Sequence, residues 1–126
     1  MDIKNIEGKV MITVKGSSLR HVDLSWAYLV EADLAGQDLS GANLRYAKLY
    51  GADLRYAGLV GAKLHGADLG DANLSGSSLC GADFRGTVLR GTDLSGTDLR
   101  GTRLTMGALV SRGAIFNKST VFGPSR

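Results

Sequence analysis

An apolar side chain returns at every fifth position of this chain for nineteen repeats. Leucine holds positions 19, 24, 29, 34, 39, 44, 49, 54, 59, 64, 69, 74 and 79, Phe84 takes the next place, and Leu89, Leu94, Leu99, Leu104 and Leu109 complete the run without a slip. A helix repeats its buried positions at three and four residues and a strand at two, so neither fits this spacing. Self-similarity at a fixed period marks a solenoid, whose units bury their faces only by stacking on one another.

A second column lies two residues before each apolar position. It is mostly small, as at Ala42, Ala47, Ala52, Ala57, Ala62, Ala67 and Ala72, and it turns to Thr87, Thr92, Thr97 and Thr102 late in the chain. The position between the columns is often Asp or Asn, and glycine often falls two residues after the leucine. Small and large residues therefore point inward across a three-residue extended segment, and the residue between them points out. The remaining two residues turn the corner, where glycine permits unusual backbone angles. The buried threonine hydroxyls need partners, which are expected in the backbone of their own coil.

This Ala-Asp/Asn-Leu-x-x pattern, over residues 17–111, resembles the pentapeptide-repeat family. The resemblance implies an all-β fold: a right-handed quadrilateral β-helix with four repeats per coil and about five coils, roughly 23 Å long at about 4.8 Å per coil. Residues 20 apart would then share a column. A solenoid needs covers at both ends. Residues 1–16 are expected to form the N-terminal cap, a hairpin turning at Glu7-Gly8 with Val10, Ile12 and Val14 on one face. Residues 112–126 are expected to form the C-terminal cap, with a loose tail at Gly123–Arg126. There the phase breaks, and Ile115, Phe116, Val121 and Phe122 make an apolar cluster. It serves either as a plug over the last coil or as an end-to-end contact between two copies, since several family members pair through an end.

The length of 126 residues suits one domain, and no apolar run approaches the roughly 18 residues of a membrane helix. The N-terminus carries an early acid, and the lone Cys80 excludes an internal disulfide framework, so the expectation is a soluble cytoplasmic protein. His21, His65 and Cys80 fall in different columns, which supports neither a catalytic arrangement nor a metal site, and the glycines are spread through the repeat rather than gathered in a phosphate loop. No enzyme and no cofactor is expected.

Trp26, Tyr28, Tyr46, Tyr50 and Tyr56 include the only Trp and every Tyr, and all lie in the first half of the repeats. Because the leucine and alanine columns fill the core, these rings belong on outer faces or corners. With Arg45, Arg55 and His65 they make a candidate partner surface, or they stiffen the coils by stacking. The expected function is a structural scaffold or protein-binding module. The alternative, implied by the resemblance, is a DNA mimic acting on DNA gyrase or topoisomerase IV. Mimicry calls for a strongly negative rod, whereas residues 17–111 carry nine basic and ten acidic side chains. A direct DNA contact is disfavoured by the same near-neutrality.

Overall fold

A computed structural model of the chain describes residues 1–124; Ser125 and Arg126, the end of the expected tail, lie outside the described residues. Parallel bridges join positions 20 apart in four columns. The first face is centred on Asp23, Asn43, Lys63 and Asp83, and the second on Tyr28, Lys48, Asp68 and Val88. The third runs through Asp33, Asp53, Asn73 and Asp93 to Ile115, and the fourth through Asp38, Gly58, Ser78 and Asp98 to Val121. Four repeats thus close each coil of a square tube. Each face contributes one paired residue per level, because only three residues are extended before the chain turns. The sheet therefore consists of single bridges rather than long strands.

Inside, the leucine column from Leu29 to Leu99 and the alanine column from Ala32 to Ala82 are almost wholly removed from water, with Phe84 in leucine's place. Each fully buried leucine contributes about 1.5–3 kcal/mol of transfer free energy. Along the winding, the centre residue of each face bonds the coil before it. Lys48 N–H donates to Ala27 O (2.9 Å), and Lys48 O accepts from Leu29 N–H (2.8 Å). The buried threonines do find backbone partners, but not all in their own coil. Thr97 and Thr102 donate to Leu94 O and Leu99 O three residues back, whereas Thr87 and Thr92 reach across to Leu64 O and Leu69 O of the preceding coil.

The corners follow one rule. The second residue after each apolar position has a positive φ at all seventeen corners from His21 to Gly101. The following small residue then donates its N–H to the leucine carbonyl, as Ala52 does to Leu49 (3.0 Å). Glycine supplies eleven of those corners, because L residues are strained there. The outward Asp or Asn completes the turn. Its Oδ1 accepts the backbone N–H two residues on at all ten such positions, from Asp23–Ser25 (3.0 Å) to Asp98–Arg100 (3.1 Å).

At the N-terminus, strand β1 (Asp2–Asn5) pairs antiparallel with β2 (Val10–Thr13), and on its other edge with β3 (Ala32–Asp33) of the first coil. The connection carries Gly8 at φ 85, and Asn5 Oδ1 gathers the N–H groups of Glu7 and Lys9. Ile3 is buried in the tube, and Ile12 and Val14 pack against the core. Val10 does not join them: it is 46% exposed, because a bulge at Met11 shifts the pairing from Ile3↔Ile12 to Lys4↔Val10 and turns its side chain outward.

At the other end the winding stops after Leu104. Arg103 adopts φ 68 where an extended residue is needed, and helix α1 (Met106–Ser111) follows. Thr105 caps it by accepting Ala108 N–H (3.1 Å), and Gly113 at φ 74 ends it. Leu109 keeps its buried place, reached from a helix rather than from a nineteenth repeat turn. The chain then rejoins the third and fourth faces. Ile115 and Val121 take outward bridge positions and are exposed, while Phe116 and Phe122 pack against the core and meet edge to face at 6.0 Å.

Two predictions follow from this packing. Leu64→Ala, at the middle of the tube, is expected to lower unfolding free energy by about 2–5 kcal/mol in urea titration. The second concerns acid. Arg85 folds back on Asp83, and its hydrogen bonds hold that carboxyl at about 2; Arg100 depresses Asp98 in the same way. A carboxyl whose folded pKa lies below its unfolded value of about 3.9 stabilises the fold above that pH and loses the contribution as pH falls. The urea midpoint of Asp83→Asn is therefore expected to fall less than that of the wild type between about pH 5 and about pH 2.5.

Candidate functional site

Where a corner carries a side chain instead of glycine, the left-handed backbone aims that side chain along the tube wall onto the next coil. Six corners do so: His21, Trp26, Glu31, Tyr46, Tyr56 and Asp71. In five of them the corner one coil later is glycine: Gly41, Gly51, Gly66, Gly76 and Gly91. The space is needed. A methyl group built on Gly66 would collide with Tyr46 Cδ1 and Cε1, and one on Gly76 would lie 2.5 Å from Tyr56 Cε1.

Trp26 is the exception. Its next corner is Tyr46, and the two rings stack with centroids 4.5 Å apart and planes 19° apart. Tyr46 also meets His65 edge-on at 5.4 Å. The first-to-second corner thus carries a column of Trp26, Tyr46 and Gly66, flanked by Ser25, Arg45 and His65. Asn43 Oδ1 accepts from Arg45 Nε (3.1 Å) and holds that guanidinium beside the rings. Together these groups line a shallow hollow of about 260 Å³. His65 Nδ1 is buried there without a hydrogen-bond partner among the described residues. Tyr28, on the second face next to this corner, is also exposed.

The other aromatic candidates lie elsewhere. Tyr50 stands at the second-to-third corner, where its hydroxyl donates to Asp71 Oδ2 (2.6 Å). Arg55 and Tyr56 occupy the third-to-fourth corner, diagonally across the tube from Trp26. Arg55 is committed there to a two-pronged bond with Asp53 (2.8 and 2.7 Å). The structure therefore brings together Trp26, Arg45, Tyr46 and His65, places Tyr28 in a separate hollow with Val10 and Ile12 of the N-terminal hairpin, and leaves Tyr50, Arg55 and Tyr56 apart. At the C-terminal end, Phe116 and Phe122 cover the last coil, whereas Ile115 and Val121 face sideways.

The charges are arranged locally. Asp53–Arg55, Asp83–Arg85 and Asp98–Arg100 pair within their own repeats at 2.7, 2.7 and 2.5 Å, and Arg20 reaches Asp38 at 3.5 Å. The Asx turn explains this Asp-x-Arg spacing: it fixes the carboxylate beside the backbone of the residue whose guanidinium then wraps it. That turn role was readable from Asp and Asn between inward positions, and it is the part the repeat pattern alone does not state. Cys80 is half-buried, and burial pushes its thiol pKa up, away from the thiolate form. No cluster of three or more metal-ligating side chains occurs among the described residues.

The family model of pentapeptide repeats matches residues 17–55, 47–71 and 67–105, in eight copies. The chain belongs to the pentapeptide-repeat family. Its tube is accordingly the right-handed, four-sided β-helix of that family. Among solved structures it is similar to a pentapeptide repeat protein, Rfr23, from the cyanobacterium Cyanothece 51142, at 33% identity over 71% of this chain and 63% of that one, with a TM-score of 0.40. It is also similar to a pentapeptide repeat protein of the Arabidopsis thaliana thylakoid lumen, at 32% identity over 72% of this chain and 58% of that one (TM-score 0.37). A third is QnrB1, a plasmid-mediated fluoroquinolone resistance protein, at 21% identity over 79% of this chain and 60% of that one (TM-score 0.41). The chain thus spans about three-fifths of the length of these proteins. No curated protein matches it. No helix among the described residues is long and apolar enough to cross a membrane.

The corner rule makes a paired prediction. Gly66→Ala and Gly86→Ala both place a side chain at positive φ, at about 1 kcal/mol each. A Cβ at Gly86 meets nothing closer than 3.8 Å, whereas one at Gly66 strikes Tyr46. Gly66→Ala is therefore expected to be the more destabilising in thermal unfolding, and Tyr46→Ala to remove most of that difference.

Proposed function

We propose that this pentapeptide-repeat tube is a non-catalytic scaffold whose first-to-second corner binds another protein. One observation carries this: Trp26 is 73% exposed although it is held at φ 63 and stacked on Tyr46. A bulky side chain in the left-handed region costs about 1–3 kcal/mol, and strained residues gather where a surface is used. Burial does not offset the strain, since the outer face of the indole remains in water. A rigid, exposed Trp-Tyr stack beside an oriented arginine has the composition of an interface hot spot. The isolation of Cys80 and the two histidines from one another, and the burial that pushes the Cys80 thiol away from its thiolate form, support a role without chemistry.

Mimicry of DNA towards gyrase or topoisomerase IV is the weaker alternative. A mimic presents rows of unpaired negative charge. Here four of the wall's aspartates sit in ion pairs with arginine.

Immobilised wild type, Trp26→Ala, Tyr46→Ala and Tyr56→Ala should be compared in binding to proteins of a cell extract. The expected result is a partner held by the wild type and by Tyr56→Ala but weakened at least about tenfold by Trp26→Ala. Retention by all four alike would contradict the proposal. In a gyrase supercoiling assay, low-micromolar protein is expected neither to inhibit nor to protect.

A further inference from the structure

We infer that the foot of the first face is a second binding surface, one that receives an acidic, extended segment of a partner protein as an added strand. In each completed coil the flanking residues of a face bond the coil below. On the first face, Ala62 O accepts from Asp83 N–H (3.0 Å), and Leu64 and Gly66 N–H donate to Asp83 O and Arg85 O (2.9 and 3.0 Å). One coil later the same groups, Ala82 O, Phe84 N–H and Gly86 N–H, have no backbone partner among the described residues. The positive φ of Arg103 swings Thr102–Leu104 away from them, and helix α1 takes the chain elsewhere. The parted segments enclose a hollow of about 420 Å³.

Ala82, Phe84, Arg85, Arg103, Leu104 and Arg112 line that hollow. Arg112 already donates to the carbonyls of Phe84 and Thr87, so the acceptors beside it are filled. What remains is one carbonyl and two N–H groups at ladder spacing, which only another extended backbone satisfies in full. Three guanidiniums surround this edge against one carboxylate, Asp83, which Arg85 already holds. The complementary strand is therefore acidic. Residues 112–126 do not supply it, for they carry three basic and no acidic side chains. A nucleic-acid strand would bring negative charge but not the alternating amide groups.

The probe is a short fluorescein-labelled peptide of alternating Thr and Glu, tested on the whole protein by fluorescence anisotropy and by amide chemical shifts. The controls are the same peptide methylated at alternate backbone nitrogens, its Lys-for-Glu counterpart, and the Arg103→Glu variant of the protein. Saturable binding is expected with the acidic peptide, with the largest shifts at the Phe84 and Gly86 amides, and weakened at least about tenfold by N-methylation and by Arg103→Glu. Absence of binding up to about 1 mM, equal binding of the methylated or basic peptide, or shifts confined to other faces would overturn the inference.

Discussion

A chain that must send a leucine inward every fifth residue has two residues in which to turn each corner. The second of those residues is left-handed at every corner from His21 to Gly101, and that one backbone requirement organises the rest of the molecule. It explains the glycines, which meet it without strain. It explains the outward Asp and Asn, whose side chains accept the N–H that the turn exposes. It also explains the short reach of each face: the sheet is a stack of single bridges, held in register because every bridged neighbour within the repeats lies 20 residues away. Stability in such a stack sums over adjacent coils. The two ends are then the places where the sum is incomplete: a hairpin covers the first coil, and the C-terminal segment covers the third and fourth faces of the last.

The left-handed corners also dictate where side chains can be displayed. A residue placed there projects onto the coil below, so its ring needs either a glycine or another ring beneath it. Tyr46 over Gly66 and Tyr56 over Gly76 take the first solution, and Trp26 over Tyr46 takes the second. The first-to-second corner therefore differs in kind from the others: it is where two strained rings are spent on the same column. Its two rings hold each other by stacking, with centroids 4.5 Å apart. The C-terminal foot differs in another way. There the winding is interrupted by Arg103, and what is displayed is backbone.

Much of this was legible in the sequence because the period is so regular. The run from Leu19 to Leu104 fixes the inward column, and arithmetic at 20 residues places Trp26 beside Tyr46 and both beside His65. The same arithmetic separates Tyr56 from them, whereas residue type alone groups all the aromatics together. Composition suggests a patch; only the column assignment says which members share a wall. The departures occur where local rules compete with the repeat. Met11 forms a bulge and sends Val10 outward. Met106 and Gly107 hold places meant for a corner and a small inward residue, and with Thr105 as a cap the chain prefers a helix. Leu109 is the instructive case, since it keeps both its period and its burial while its backbone changes class.

The stacking of positions 20 apart is most directly tested by nuclear Overhauser contacts in the isotopically labelled protein. The Asp68 N–H bonds to Ala47 O in the coil before it (3.0 Å), and Lys48 N–H to Ala27 O (2.9 Å). Strong contacts between the Asp68 amide and the α-hydrogens of Ala47 and Lys48, repeated down all four faces, are the predicted result. Continuous helical contacts at four-residue spacing through residues 17–104, or an interval other than 20 between coils within those residues, would contradict the account.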